Sequence, residues 1–311
     1  MSNLIRVFPR RTSHTPRDRL AFIGDPPLFR PRVEDVSEVH ISVTFTWDIP
    51  EARRLERAWG QLYPVVRIGG PAFGQITTDF TPGRYIKHGV TFTTRGCDRK
   101  CPWCKVPERE GRIVEIPDYP RGWIIQDNNF LQASQAHQAG VFDMLRRLPE
   151  WDAYREHCRK TKTAGIEFAG GIDCRLVNPW FAEQLKTINF RQLFLAADTN
   201  LAVRDLATAR EILHEYSRHK MRVYTLIGFG NDTIEKASRR LERVWDLGCM
   251  PHAQLYQPAD RWVDYSPEWR ALAKMWSRPA IMVGAHKVRQ ATKRAADPLL
   301  DRLRGGTHGQ T

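Results

Sequence analysis

Three cysteines are the residues whose spacing first indicates chemistry. Cys97, Cys101 and Cys104 lie within eight residues in the pattern C-x3-C-x2-C, and the other three cysteines of the chain are isolated. The thiolate is the metal-binding form of cysteine, and three thiolates on one short loop can hold three corners of a [4Fe-4S] cubane. The fourth iron is then left without a protein ligand. The spacing therefore predicts an iron–sulfur cluster with one iron open to a small molecule.

A structural zinc ion is the alternative occupant of this loop. Structural zinc takes four ligands, usually from two paired halves, and a matching second C-x2-C half is missing here. His88, Cys158 or Cys174 could supply a fourth ligand, but none of them belongs to a recognisable pair. Isolated cysteines such as Cys249 are expected to be small buried residues. The pattern therefore favours an iron–sulfur cluster over zinc.

A repeated strand-then-helix pattern begins near residue 90 and must position the loop. Continuous apolar strands that alternate with amphipathic helices predict a parallel sheet with helices outside it. Six such units predict an α/β fold, a partial (β/α)6 barrel with a small N-terminal βαβ unit, and such barrels carry their chemistry at the carboxyl ends of the strands. The predicted strands are 90–94, 123–126, 165–169, 193–197, 222–227 and 252–256, and the predicted helices are 133–148, 178–187, 202–219 and 232–247.

The rest of the chain divides around this core. Residues 1–38 read as an extended basic arm, and residues 39–85 as a small βαβ unit with strands at 39–45 and 65–68 around a helix at 50–62. The predicted barrel covers residues 86–260. Residues 261–311 are expected to form a C-terminal helical extension, with a helix at 266–276, and a basic tail.

Composition and charge limit the classes of protein that the chain can belong to. It has 311 residues, a net charge of +13, and no apolar run that approaches the length of a membrane span. The clustered cysteines do not form a secreted disulfide framework, so we expect a cytoplasmic protein without a membrane partner. Basic residues concentrate at both ends, which would suit nucleic acid or simply form solvated tails.

The cysteine loop and its setting resemble the radical S-adenosylmethionine (SAM) superfamily. The resemblance covers about residues 88–260, and its signature is C-x3-C-x-aromatic-C, with Trp103 here as the aromatic residue. Members of this superfamily bind SAM at the open iron of a [4Fe-4S] cluster. The resemblance implies that Cys97, Cys101 and Cys104 are the cluster ligands and that Trp103 lies beside the SAM adenine.

Further segments match strand ends of the superfamily. The run from Asp127 to Phe130 replaces the usual Gly-Gly-Glu and is similar to the Asp-Asp-Asn-Phe variant of the cobalamin-associated branch, so Asn128 and Asn129 are expected to contact the SAM amino group. Arg175 is expected to pair with the SAM carboxylate, or else to form a structural ion pair. The other implied SAM contacts are the strand-end residues Asp198, Ile227, Gly228 and Tyr256, of which Asp198 could instead cap a helix and Gly228 could only permit a turn.

The resemblance implies an enzyme that cleaves SAM reductively and generates a 5′-deoxyadenosyl radical on an unknown substrate. An electron donor such as a flavodoxin or a ferredoxin is the implied partner. Two alternatives stay open. One is an RNA-modifying radical SAM enzyme, which the basic ends favour, and the other is a non-catalytic, zinc-containing nucleic-acid-binding protein.

The N-terminal unit raises the question of cobalamin. Residues 39–70, followed by Pro71-Ala72, resemble the last part of a cobalamin-binding domain. The Asp-x-His-x-x-Gly loop that would donate an axial histidine is absent. We therefore expect a remnant of such a domain that covers the barrel, without bound cobalamin.

Overall fold

The N-terminal part of the chain forms a parallel sheet with one helix. The computed structural model describes residues 3–29, 36–75 and 80–288. Four strands pair in the order β2-β1-β3-β4, and helix α1 (Ile49–Gly60) connects β3 to β4. The strands are β1 (Asn3–Phe8), β2 (Ala21–Ile23), β3 (Val36–Ser42) and β4 (Val66–Gly69).

The extended arm predicted over residues 1–38 is therefore wrong where the structure describes it. Strand β1 hydrogen-bonds in parallel to both β2 and β3. Its alternate residues Ile5 and Val7 are fully buried, together with Val39 and Ile41 of β3 and Trp59 of α1. Because β3 would otherwise have an unpaired edge, β1 completes the hydrogen bonding of the unit predicted to begin at residue 39.

A second, larger sheet contains six parallel strands. Its order is β12-β11-β10-β9-β8-β5, so each strand lies beside the strand that precedes it in this sheet along the chain. This confirms the predicted α/β class and the parallel sheet, and it leaves β5 and β12 as the two edges. The strands are β5 (Val90–Thr91), β8 (Ile124–Ile125), β9 (Ile166–Asp173), β10 (Phe190–Ala196), β11 (Met221–Ile227) and β12 (Met250–Leu255).

Helices follow most of these strands. Helix α4 (Asp152–Thr161) forms where the sequence pattern predicts no helix or strand. Its only buried residue is Tyr154, so it lacks the apolar stripe that would have predicted a helix. A short hairpin lies between β5 and β8, made of β6 (Thr94–Arg95), helix α2 (Val106–Glu110) and β7 (Val114–Glu115). The other helices are α3 (Gln135–Arg146), α4 (Asp152–Thr161), α5 (Pro179–Lys186), α6 (Asn200–Ile212), α7 (Ile234–Asp246) and α8 (Pro267–Ser277).

One face of the large sheet packs against the helices. Phe168, Leu195 and Val223 lie in the same buried cluster as Phe142 of α3 and Leu206 of α6. Parallel strands in sequential order, joined by right-handed crossovers, place their connecting helices on one side. The opposite face of the sheet is therefore not covered by these helices.

Local sequence explains where several helices begin. The side chains of Ser134, Asn178, Thr199 and Thr233 each accept a backbone N–H bond in the first turn of α3, α5, α6 and α7 respectively. Such caps satisfy N–H groups that have no partner within the helix. No helix in the described ranges is long and apolar enough to cross a membrane. The predicted basic tail lies outside the described residues beyond position 288.

Candidate metal centre

The β6–β7 hairpin closes the loop that carries the three cysteines. Gly96 opens this loop with φ of +76°, and a Cβ atom there would lie 2.0 Å from the carbonyl oxygen of Arg112. Only glycine fits this position, because the backbone has a positive φ and the backbone of Gly111 and Arg112 lies directly against it. The N–H of Cys97 donates to the carbonyl of Gly111 over 3.1 Å, and that of Cys104 donates to Cys101 over 3.0 Å.

Asp127 holds the turn that leads into this loop. Its buried carboxylate, at the end of β8, accepts the N–H of Thr93 (2.6 Å), the N–H of Thr94 (3.1 Å) and the hydroxyl of Thr93 (2.5 Å). Burial raises the pKa of Asp127, and these hydrogen bonds oppose the rise. Gly170 of β9 packs so closely that a Cβ would lie 1.8 Å from the Asp127 carbonyl. Three neighbouring strands thus position the cysteine loop.

The three thiols of the loop are free and half-buried. The sulfur of Cys97 accepts the backbone N–H of Arg99 at 3.4 Å and the amide Nδ2 of Asn129 at 3.8 Å. Burial raises the pKa of the Cys101 thiol, and the charge of Cys104 raises it further. Burial also raises the pKa of Cys104. Burial thus favours the neutral thiols of Cys101 and Cys104, and binding a cation would release their protons.

The donor chemistry of the loop fits an iron–sulfur cluster. Three cysteines without disulfide partners lie on one loop, and hydrogen-bond donors face one of the sulfur atoms. Hydrogen bonds to cysteine sulfur are one of the means by which proteins tune such clusters. Among the described residues, no three His, Cys, Asp or Glu side chains, these cysteines included, converge as a metal-binding group.

The other three cysteines lie away from the loop. Cys174 is buried and donates to the carbonyl of Ala196, and burial raises its pKa to about 12. Cys249 is fully buried, which raises its pKa to about 11. Cys158 lies on α4 and packs against the main core. Cys174 and Cys249 are the small buried residues that the sequence predicts.

The two asparagines after β8 have different partners. Asn129 is buried, and while its Nδ2 faces the sulfur of Cys97, its Oδ1 is buried without a hydrogen-bond partner. Asn128 instead donates to the carboxylate of Glu110 over 2.6 Å. Only Asn129 therefore has a buried acceptor atom still available.

Glu110 is a site residue that sequence reasoning missed. Its carboxylate accepts from Asn128 and from the N–H of Gly96 (3.2 Å), and it lies 3.9 Å from a guanidinium nitrogen of Arg95. Glu110 ends the short helix α2, in a stretch with three prolines and no helical stripe. No local pattern in the sequence indicated that this residue returns to the start of the cysteine loop.

Arg175 forms an ion pair with a carboxylate of its own chain. Its guanidinium donates to both oxygens of Asp173, at 2.7 and 2.9 Å. Arg99 of the cysteine loop donates to the same carboxylate at 2.8 Å. Burial alone would raise the pKa of Asp173, but the bonds from Arg175 and Arg99 lower it below its ordinary value. Asp173 thus ties the loop to the end of β9.

Aromatic rings from three segments meet beside the loop. Trp103 packs edge-on against Phe229, with ring centroids 5.5 Å apart, and Phe229 packs edge-on against Tyr256 at 4.9 Å. Asp198, in the same region, accepts a hydrogen bond of 2.9 Å from the N–H of Leu226. Burial raises the pKa of Asp198. Asp198 does not cap α6, since Thr199 does so.

Tyr265 closes this group of rings. Its hydroxyl donates to the carbonyls of Gly228 (3.2 Å) and Tyr256 (2.7 Å). Gly228 has φ of +79°, and a Cβ there would lie 2.8 Å from the Tyr265 ring. The side chain of Ile227 is fully buried on the helix side with Leu241, so Ile227 reaches this group through its backbone alone.

The N-terminal unit contacts segments that follow the carboxyl ends of strands in the large sheet. The hydroxyl of Thr46, in the segment after β3, donates to the carbonyl of Ala259 over 2.5 Å. Trp47 packs edge-on against Trp262 with centroids 5.7 Å apart, and Arg109 of α2 donates to the carbonyl of Pro71. The carboxyl ends of the strands of both sheets therefore face a common region.

The chain matches no protein-family model and no curated protein. The resemblance to radical SAM enzymes thus depends on the cysteine motif and the strand-end segments of the sequence. A fold can serve many functions, so the side chains of the site must carry any functional argument.

Proposed function

We propose that this protein is a radical SAM enzyme that binds a [4Fe-4S] cluster through Cys97, Cys101 and Cys104. The observation that carries the proposal is the position of these free thiols. They lie on one loop at the carboxyl end of β5, the first of six parallel strands in sequential order. The carboxyl ends of such strands are where α/β sheets and barrels place their chemistry.

The proposal includes a partial barrel as the shape of the large sheet. Six parallel strands in chain order, with helices packed on one face, are the arrangement that a six-unit partial barrel requires. The twist of parallel strands curves such a sheet, and its uncovered face would then line the interior.

Residues around the loop would support the cluster in distinct ways. When bound, a [4Fe-4S] cluster supplies an electron that can cleave the sulfonium of SAM. Asn129 and the N–H of Arg99 donate to the sulfur of Cys97, and such hydrogen bonds to cysteine sulfur tune iron–sulfur clusters. Burial raises the pKa of Cys101, and the positive charge of Arg175 opposes part of that rise.

Other residues suit the two ends of SAM. Trp103, Phe229 and Tyr256 offer adjoining aromatic surfaces for the adenine. The unpartnered Oδ1 of Asn129 can accept from the ammonium group of the methionyl end. Two guanidinium nitrogens of Arg175 already donate to Asp173. Arg175 would therefore have to bind the SAM carboxylate and the Asp173 carboxylate at the same time.

The test is SAM cleavage by the full chain, purified without oxygen and reconstituted with iron and sulfide. With SAM and dithionite, we expect electron paramagnetic resonance of a reduced cluster and formation of 5′-deoxyadenosine. The variant with Cys97→Ala, Cys101→Ala and Cys104→Ala should show neither. Cys158→Ala is the matched control, because it removes a half-buried thiol outside the loop and should keep both signals.

Metal analysis separates this proposal from the zinc-protein alternative. The radical SAM proposal requires about four irons and four sulfides per chain. One zinc per chain, with no iron bound after reconstitution, would contradict it. The net charge of +13 favours the narrower proposal of an RNA substrate, and it predicts RNA binding that weakens steeply as salt rises.

A further inference from the structure

Among the described residues, the face of the large sheet opposite its connecting helices carries half-buried or exposed side chains on β10, β11 and β12. Side chains alternate between the two faces of a strand. Those on the helix side, such as Leu193, Val223 and Ala253, are buried. Those on the opposite face are half-buried or exposed: Gln192, Phe194, Tyr224, Leu226, His252 and Gln254. We call this second set, with Arg222, the inner face.

Arg222 is the exception on the inner face, because it is only 5% exposed. One of its terminal nitrogens donates to Nδ1 of His252 at 2.6 Å and to the carbonyl of Ser277 at 3.2 Å. Its Nε is buried without a hydrogen-bond partner. Its guanidinium carbon lies 5.8 Å from the ring centroid of Phe194. All these partners are neutral, because burial, and then Arg222 itself, lowers the pKa of His252 to about 4.

The other two arginines that are buried among the described residues each have a carboxylate partner, which Arg222 lacks. Arg240 is 7% exposed and lies 2.7 Å from the carboxylate of Asp232. Arg6 is equally buried and pairs with Asp18. Among the described residues, no carboxylate forms an ion pair with Arg222. A buried charge without a counter-charge is costly, so the position of Arg222 calls for an anion.

We propose that the inner face binds the anionic group, a carboxylate or a phosphate, of a small ligand through Arg222. The hydrogen bonds to His252 and Ser277 leave the Nε–H of Arg222 free to donate to an oxyanion, and the positive charge of the guanidinium strengthens that bond. The half-buried rings of Tyr224 and Phe194, stacked 4.7 Å apart, flank the position. Identifying this ligand as the substrate rests on the proposed function, whereas anion binding itself does not.

Stability provides the first test. Arg222→Met removes a charge that no carboxylate balances, so we expect a Tm equal to or above that of the wild type. Arg240→Met is the matched control, because it leaves Asp232 buried without its partner and should lower Tm clearly. If Arg222→Met lowered Tm as much as Arg240→Met does, Arg222 would have a structural role and the proposal would be overturned.

Anion binding provides the second test, on the purified full chain without SAM. Inorganic phosphate and succinate are titrated separately while Tm is recorded. We expect a saturable rise in Tm for one of them, which identifies the anion class, and at least about tenfold weaker binding to Arg222→Met because a charged hydrogen bond is lost. No response of the wild type, or an equal response of both proteins, would overturn the proposal. Since SAM takes no part, failure of the proposed SAM cleavage would leave this result unchanged.

Discussion

At the residue scale, each side chain in the site acts through the partner that the fold gives it. Asn128 and Asn129 are adjacent and chemically identical, yet one donates to a carboxylate and the other to a cysteine sulfur. Arg175 and Arg222 are both strand-associated arginines, yet the first has Asp173 and the second has no carboxylate among the described residues. Residue type limits the chemistry, and the partner decides which part of it is used.

His252 leads to a prediction about pH. Its pKa is lowered from 6.5 to about 4 by burial and by Arg222, and it also packs against Tyr224 and Phe194. Between pH 6.5 and 4 the unfolded chain binds a proton at this position that the folded chain does not, so stability falls as the pH falls. We expect His252→Asn to lose less Tm between pH 7 and pH 5 than the wild type. His14, whose pKa is also about 4, supplies a separate part of the drop, and an equal drop in both proteins would contradict the assignment to His252.

At the element scale, the cysteine loop depends on short contacts that regular secondary structure does not provide. Strand β6 has two residues, and the loop is held mainly by Asp127, Glu110 and a few backbone hydrogen bonds. Glycines occur where the backbone turns sharply against a neighbour, and two pairs of them allow matched comparisons.

Gly96 and Gly111 form the first pair. Both have φ of +76°, but a Cβ at Gly96 would strike the Arg112 carbonyl whereas one at Gly111 would meet no atom within 4 Å. Gly111, with φ of 76° and ψ of −153°, lies in a region that is nearly specific to glycine, so Gly111→Ala should cost only the conformational strain of about 1–3 kcal/mol. Gly96→Ala should cost more and also reduce iron bound after reconstitution. Equal unfolding free energies and equal iron content in the two variants would show that the close approach at Gly96 is unimportant.

Gly228 and Gly230 form the second pair, beside the aromatic rings. A Cβ at Gly228 would displace Tyr265, while one at Gly230, where φ is +59°, would contact nothing within 4 Å. If these rings bind adenine, Gly228→Ala should weaken SAM binding by roughly tenfold or more, about 1.4 kcal/mol, and Gly230→Ala should change it little. Equilibrium dialysis with SAM measures both. The proposed adenine position is wrong if Gly228→Ala binds SAM as the wild type does.

At the scale of the whole molecule, two parallel sheets direct the carboxyl ends of their strands toward one region. The contact includes the Thr46 bond to Ala259 and the ring pair of Trp47 with Trp262, which is 55% exposed. The N-terminal unit thereby contacts segments that follow the carboxyl ends of the large sheet's strands.

The ring pair leads to a prediction about how the two units are joined. In a double-mutant cycle, Trp47→Ala and Trp262→Ala should show a coupling of about 0.5–1.5 kcal/mol in the free energy of unfolding, as measured for other aromatic pairs. Urea denaturation of the two single variants and the double variant provides the four values. A coupling near zero would mean that other contacts hold the units together.

Features that depend on local periodicity and spacing can be predicted from the amino-acid sequence. The cysteine motif, the six parallel strands of the large sheet and most of its helices follow from residue types close together in the chain. Strands β1 and β2 and helix α4 were missed because short strands and polar helices have weak patterns of their own. Their formation depends on partners distant in sequence, such as β3 for β1.

Which side chains meet depends on the three-dimensional fold. It placed Glu110 against Asn128, Tyr265 over Gly228, and the side chain of Ile227 in the core. It also left Arg222 buried among neutral groups, which no spacing of residues could have indicated. The physical reason is that hydrogen bonds and burial depend on distances in space, whereas sequence patterns report only which face of an element a residue occupies.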